Sequence, residues 1–391
     1  MRRFSAQYVI TNTGNTLKRA IINTLDDGTI LSVEDTGGEL KEGESIEFYN
    51  GIIIPGFVNC HCHLELSHMK GVIGRGTGLA GFIELVRNER NSSAETVYNS
   101  AVSADSEILS EGTVLCADVC NNTVTFNIKK ESLVKYHSFL EVFGIDPGRA
   151  CKRLEEIENL ASVAAETGIP FSLVPHSVYS MSLTLMRLLR SRSEENRLTS
   201  IHFMESFDEI EFLNNHSGPL VDSYIRSGIM PGKLEIVKNH SDAVLNEISP
   251  NGNLILVHNT FADRETIRIA NSRKNIFWCL CPNSNLYIEG KVPPLELLLD
   301  EECEIVIGTD SLSSNNRLSI LEELKTLQQH FPGISMELLI KWATFNGAKA
   351  LEAEGIYGTI EAGKKPGLVL LQDLDLALMK LLPGSYAERL I

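Results

Sequence analysis

The chain has 391 residues, of which 43% are hydrophobic, 22% charged and 7% aromatic, a balance that excludes an intrinsically disordered protein. Its 35 Lys and Arg face 51 Asp and Glu, and a net charge of -16 repels nucleic acid and anionic membrane surfaces rather than gathering them. The longest stretch without Lys, Arg, Asp or Glu, Gly168 to Met186, holds two prolines and a histidine, so no membrane helix is expected.

Up to residue 54 short apolar runs alternate with turn signals: Tyr8 to Ile10, Ala20 to Ile22, Ile30 to Val33 and Ile52 to Ile54, punctuated by Asp26-Asp27-Gly28 and Thr36-Gly37-Gly38. These read as short strands. From Phe57 onward eight β-type runs alternate with amphipathic stretches: Phe57 to Cys60, Thr113 to Val119, Tyr136 to Phe143, Phe171 to Pro175, Thr199 to Met204, Leu254 to Val257, Ile276 to Leu280 and Glu304 to Gly308. The helical period shows in Leu154, Ile157, Leu160, Val163 and Ala164, and again in Ile320, Leu321, Leu324 and Leu327. Eight strand and helix units predict an α/β fold, a closed (β/α)8 barrel of the TIM type. An open doubly wound sheet is the competing layout, but Gly74-Arg75-Gly76-Thr77-Gly78 neither follows a strand directly nor opens a helix where a dinucleotide fingerprint requires it. After Gly355 a β pattern returns in Gly358 to Gly363 and Gly367 to Leu371. We therefore expect a barrel over residues 56–354 and a small β-sandwich built from residues 1–55 and 355–391.

Eight cysteines in a chain of this length lack the density of a secreted disulfide scaffold, and Cys116, Cys151 and Cys303 sit in apolar runs where a reduced thiol acts as a small hydrophobe. Cys60-x-Cys62 and Cys279-x-Cys281 are spaced too closely for a structural zinc site. The basic start, Met1-Arg2-Arg3, is followed by no signal-length apolar segment, and a cytoplasmic location is expected.

Histidines collect at the carboxyl ends of the expected strands: His61, His63, His176, His202 and His258. In a (β/α)8 barrel that face carries the active site. Side chains alternate along a strand, so His61 and His63 share a face while Cys62 points away. With His202 and Asp310 they offer three imidazoles and a carboxylate, a set that suits Zn2+ or, as the alternative, Fe2+. Glu205, three residues beyond His202, reads as a proton shuttle.

Phe57 to Glu65, Pro175 to Ser180, His202 to Ser206, Leu256 to Asn259, Cys281 to Asn285, Gly308 to Asn315 and Ala343 to Ala350 resemble, in order, the successive motifs of the amidohydrolase superfamily, in particular its cytosolic aminohydrolases and chlorohydrolases. The resemblance implies one metal ion per chain held by His61, His63, His202 and Asp310, since His176 stands where binuclear relatives carry a bridging lysine. It also implies that His258 hydrogen-bonds the water or the tetrahedral intermediate, that Glu205 moves protons to a ring nitrogen and that His176 touches substrate. The departure is Lys365-Pro366-Gly367, where Ala-Asp is usual before the final strand.

The expected chemistry is hydrolytic deamination. A metal lowers the pKa of its water towards roughly 7, Asp310 accepts the proton, hydroxide attacks a carbon bearing an amino group, and Glu205 protonates the neighbouring ring nitrogen before ammonia leaves. Leu64 to Ser67, Gly81 to Ile83 and Thr309 to Asn315 look most like aminodeoxyfutalosine deaminases and the adenosine-type deaminases of S-adenosylhomocysteine and methylthioadenosine. The alternatives are a chlorohydrolase, a cyclic amidase or a non-catalytic relative. The expected partner is a small-molecule substrate, with self-association into a homo-oligomer left open. Glu65 reads equally as a solvated or capping carboxylate and as a substrate contact, and neither His68 nor the segment Phe207 to Asn253 carries a legible role.

Overall fold

The computed structural model describes residues 1–40, 45–229 and 231–391; residues 41–44, within the expected amino-terminal β segment, and residue 230, between expected strands five and six, lie outside it. Five strands come first: β1 (Arg2–Val9), β2 (Leu17–Lys18), β3 (Ile21–Thr24), β4 (Ile30–Glu34) and β5 (Ile46–Pro55). All eight expected barrel strands follow, as β6 (Phe57–Cys62), β7 (Thr113–Cys120), β8 (Lys135–Val142), β9 (Phe171–Pro175), β10 (Leu198–Phe203), β11 (Asn253–His258), β12 (Ile276–Leu280) and β13 (Ile305–Ile307). The chain ends in β14 (Leu368–Asp375) and β15 (Lys380–Arg389).

Strands β6 to β9 pair in parallel, as do β10 to β13. Parallel bridges at Ser177–His202 and Cys62–Asp310 join the two arcs into a ring. At the first seam His202 N donates to His176 O (2.9 Å); at the second the N–H groups of Thr309 and Asp310 both reach His61 O, at 2.9 and 3.0 Å. The seams that close the barrel are thus made by the residues of the expected site. Val58, Cys60, Phe139, Val174, Val257 and Cys279 belong to one inner cluster, and the helices pack on the outside over Leu140, Leu256, Trp278 and their neighbours. Burial on both faces explains why these strands read as continuous apolar runs.

The alternation expected at the end of β6 is interrupted. Cys60 packs in the inner cluster, yet Cys62 packs in an outer one with Ala101, Ala104 and Cys116, and the register against β7 shifts between Asn59 and Cys62. A shift of this kind re-aims the side chains beyond it. It is what turns both His61 and His63 to the cavity side.

The two ends of the chain meet in one seven-stranded sheet of order β15-β14-β5-β1-β3-β4, with β2 on β1. Among the described residues of this sheet, β1 and β5 pair in parallel and the other pairs are antiparallel. Gly358 to Gly363, expected as strand, is a turn: φ is 84° at Gly358 and 85° at Gly363, and a side chain at Gly358 would lie 2.7 Å from Phe345 Cα. It meets the sheet side through isolated bonds, among them Ile360 N to Thr11 O (3.0 Å), Asn12 Nδ2 to Gly358 O (2.7 Å) and Gly363 N to Ile30 O (2.9 Å). The strand that completes the sheet is β15, which carries Pro383 and sits at the edge, where a missing N–H is tolerated. Two smaller expectations also fail. Val163 is 40% exposed on the outer side of the helix Ala150–Thr167, and Cys151 is exposed on the same helix.

Candidate active site

The five strand-end histidines and Asp310 converge above the carboxyl ends of the barrel strands. His61 Nε2 and His63 Nε2 are 3.2 Å apart, and each lies 3.5 Å from Asp310 Oδ1. Ligand atoms of His61, His202 and His258 also lie within 4.8 Å of one another. His202 donates from Nδ1 to His176 O at 2.7 Å, which leaves its Nε2 lone pair bare. Burial and the neighbouring imidazoles hold His202 well below the usual histidine range, so it stays neutral. Asp310 Oδ2 accepts hydrogen bonds from Ser284 Oγ and Ser314 Oγ, both at 2.6 Å. Neutral imidazole lone pairs and a carboxylate oxygen aimed at one point form a donor set that fits a divalent cation such as zinc.

Glu205 stands beside this set. It is buried, its Oε2 is 3.6 Å from His258 Nε2, and its Oε1 has no hydrogen-bond partner among the described residues. Burial first, then the charge of Glu209, push its carboxyl well above the usual range, with the Tyr179 hydroxyl pulling back. Glu209 fixes the loop by accepting from Glu205 N (2.8 Å) and Met204 N (3.2 Å). His258 takes a hydrogen bond at Nδ1 from the Asn285 amide (3.2 Å), so its proton sits on Nε2, facing Glu205. Burial lowers its pKa to about 3. Met204, His258 and Asp310 have φ of 48°, 76° and 56°, left-handed values that ordinary residues adopt at a cost and that cluster at functional sites.

His176 lies on the other side of the set, its ring 4.6 Å from that of His202. Its Nδ1 meets Glu141 Oε2 at 2.7 Å. Burial opposes the charge on both partners, but the pair overrides it: Glu141 is held at about 2 and His176 is raised.

The cavity over these groups measures about 770 Å3. Its floor contains His63, His176, His202, Glu205, His258 and Asp310. Leu220, Tyr224 and Ile229 bring part of the 207–253 segment into its wall. Five arginines also line it: Arg87, Arg90, Arg149, Arg153 and Arg226. Arg226 pairs with Glu84 at 2.7 Å, and Arg90 lies 3.5 Å from Glu65. The Arg153 guanidinium lies 5.4 Å over the Phe143 ring, whose other neighbour is His176 at 5.8 Å. Phe143 therefore forms a platform running from the floor to a cation.

Of the site residues expected from the sequence, His63, His176, His202, Glu205, His258 and Asp310 line this cavity and His61 is fully buried against His63 and Asp310, and the structure adds several that were not expected. Ser284, Asn285 and Ser314 lay inside motifs already read, but Glu141, Glu209 and the arginines carried no local signal. Glu65 is not solvated: it is 2% exposed, accepts from Asn121 N (3.0 Å), and burial pushes its carboxyl up to about 7. His68 shares a hydrogen bond with Arg90 O (3.0 Å). No cysteine belongs to a metal-ligand cluster among the described residues.

A barrel whose seams are made by strand-end imidazoles and an aspartate defines a metal-dependent hydrolase class, and the comparisons agree. Residues 52–384 match the amidohydrolase family, and the chain belongs to it. A Helicobacter pylori protein named adenosine deaminase is 29% identical over 337 residues, 82% of this chain and 79% of the relative. A 5-methylthioadenosine/S-adenosylhomocysteine deaminase of Thermococcus kodakarensis is 28% identical over 359 residues, covering 87% and 78%. The crystal structure of Helicobacter pylori aminofutalosine deaminase in complex with methylthio-coformycin superposes with a TM-score of 0.79 at 24% identity, over 95% of this chain and 92% of that one. No helix among the described residues is long and apolar enough to cross a membrane.

Proposed function

We propose that the protein is a hydrolytic deaminase of a 6-aminopurine nucleoside whose 5′ arm ends in a carboxylate, the chemistry that aminodeoxyfutalosine and S-adenosylhomocysteine share. The observation that carries the reading is Glu205, a buried carboxyl with one free oxygen beside His258 and the imidazole cluster. Hydrolysis of an amidine needs a proton delivered to the ring nitrogen next to the attacked carbon, and burial, by raising the Glu205 carboxyl above the usual range, favours the protonated form that can deliver it.

His61, His63, His202 and Asp310 would hold one zinc ion, with Fe2+ as the alternative. When bound, such a metal activates water and polarises the atom it contacts. Asp310 takes a proton from the attacking water. Glu205 gives its proton to the ring nitrogen, and His258, donating from Nε2, steadies the oxygen that adds to carbon 6. His176, fixed by Glu141, borders the substrate. The carbon–nitrogen bond to the amino group then breaks: the proton taken up by Asp310 passes to that nitrogen, which leaves as ammonia, and the added hydroxyl gives its proton back to Glu205 as the ring carbonyl forms.

The distal arm is assigned from charge. In a chain of net charge -16, five arginines in one cavity wall are an exception that an anionic substrate explains. Phe143 offers a face for the arm, with Arg153 above it and Arg149 nearby in the same wall. Eight free cysteines, most of them buried, support a reducing, cytoplasmic setting.

Ammonia release tests the reading. S-Adenosylhomocysteine and aminodeoxyfutalosine should exceed methylthioadenosine and adenosine in kcat/KM by about tenfold or more, the scale of one charge-assisted hydrogen bond. Arg153→Ala should narrow that gap and leave methylthioadenosine turnover unchanged. Preference for guanine, cytosine or a chlorotriazine would overturn the assignment to purine nucleosides.

A further inference from the structure

Glu323 is fully buried on the helix Ile320–His330, outside every motif read from the sequence. No Lys or Arg pairs with it among the described residues. Its carboxyl instead receives three N–H groups: Asn283 N at Oε2 (2.9 Å), and Asn283 Nδ2 (3.0 Å) and Asn315 Nδ2 (2.7 Å) at Oε1. Thr326, one turn further along the helix, donates to Asn283 Oδ1 at 2.5 Å. Asn315 Nδ2 also reaches Thr309 O (2.9 Å).

The two residues clamped in this way belong to different segments, Asn283 to the first turn of the helix Pro282–Ile288 after β12 and Asn315 to the loop after β13, and each is next to a site residue's partner. Ser284 follows Asn283 and Ser314 precedes Asn315, and both hydroxyls donate to Asp310 Oδ2. Asn285, two residues past Asn283, sets the proton of His258. A one-residue lever is short, and misplacement of a catalytic group by even an ångström costs turnover. We propose that Glu323 is a positioning residue: it staples the start of the helix Pro282–Ile288 and the loop after β13 to the helix Ile320–His330 so that Asp310 and His258 keep the orientations the reaction needs. The inference rests on the roles assigned above to Asp310 and His258.

Glu323→Gln keeps the shape but replaces one acceptor oxygen with an NH2 group facing an N–H. It should lower kcat by about tenfold to a hundredfold, with KM changed less than about threefold, while zinc content stays at the wild-type level. In the cobalt-substituted protein, which is read without turnover, its visible absorption should shift, because Asp310 is no longer held by both serines. Thr326→Val, which loosens Asn283 without touching the buried carboxyl, should change kcat in the same direction and less. Leu324→Ala, a core deletion on the same helix, should lower Tm and leave kcat and the cobalt spectrum as they are.

Wild-type kcat and spectrum in Glu323→Gln, or equal kcat losses in Leu324→Ala, would overturn the proposal. If Glu323→Gln does not fold, Thr326→Val decides: unchanged kcat overturns the proposal, and a fall with Tm preserved supports it. Asp310→Asn separates the two readings. Full activity there sinks the site assignment itself, whereas an inactive Asp310→Asn beside a wild-type Glu323→Gln sinks only the role of Glu323.

Discussion

The two arcs of the barrel differ in whether a Lys or Arg stands beside their buried carboxylates. Along β6 to β9 each has a cation or an imidazole beside it: Glu65 has Arg90 at 3.5 Å, Asp118 has Lys129 at 2.5 Å, and Glu141 has His176 at 2.7 Å. Along β10 to β13, Glu205, Glu209 and Glu323 are just as buried and have no Lys or Arg among the described residues; Glu205 has only the neutral His258 imidazole at 3.6 Å, and Asp310 alone meets imidazoles across the seam, His61 and His63 at 3.5 Å. Burial pushes all three glutamates upward, to about 7 at Glu209 and about 8 at Glu323. The first arc sets a basic partner beside each of its buried carboxylates and supplies four of the five cavity arginines, Arg87, Arg90, Arg149 and Arg153, which suits binding. The second keeps carboxyls on N–H and O–H partners, which suits proton transfer and the aiming of the groups that perform it.

The largest expected effect lies in the first arc. Lys129 Nζ is fully buried against Asp118 and Ser138, and Asp118 Oδ1 accepts from Leu64 N (2.7 Å), directly after His63. Lys129→Met leaves a buried aspartate without its counter-charge, and chemical denaturation should show a loss of about 3–5 kcal/mol. A loss below about 1 kcal/mol would show that the arcs do not differ in this respect.

Glu205→Gln should give the reverse pattern. Removing a carboxyl that has no cation leaves Tm close to the wild-type value and the metal in place, while kcat falls by roughly 100-fold or more, the scale of general acid catalysis. Near-normal turnover would assign Glu205 to structure, and loss of metal would make it a ligand.

The third effect is a pH dependence, absent at neutral pH and developed only in acid. His137 is held at about 4 by burial and by the charge of Lys129, and it hydrogen-bonds Ser172 at 2.9 Å. The fold favours its neutral form, so its contribution is complete above its ordinary 6.5 and is lost as pH falls from there towards about 4. Over that window His137→Gln should remove a slope of roughly 1.4 kcal/mol per pH unit from the wild-type stability curve. An unchanged slope would assign the acid sensitivity to other groups.

Much of this was legible in the sequence because it is local. The eight barrel strands are buried on both faces and read as apolar runs, and the imidazoles follow them directly. Gly358 to Gly363 misled because a glycine-framed turn next to Ile360 has a strand's apolar rhythm without its backbone, while β15 was hidden by Pro383 and Gly384. Glu141, Glu209 and Glu323 were not legible, since an acidic residue in a strand or an early helical turn looks solvated until tertiary packing buries it. The arginine wall comes from separate excursions, Gly78–Glu89, Ala150–Thr167 and Pro219–Arg226 among them, and only the fold brings them together.

One titration tests the central claim, that the seam residues His61, His63, His202 and Asp310 serve a single metal-dependent centre. Chelator-treated protein is mixed with increasing zinc, and ammonia release from S-adenosylhomocysteine or aminodeoxyfutalosine is followed at each point. We expect activity to rise linearly and to break at one equivalent per chain, with Asp310→Asn inactive at every ratio. A break at two equivalents, or full activity in the chelated protein, would contradict it.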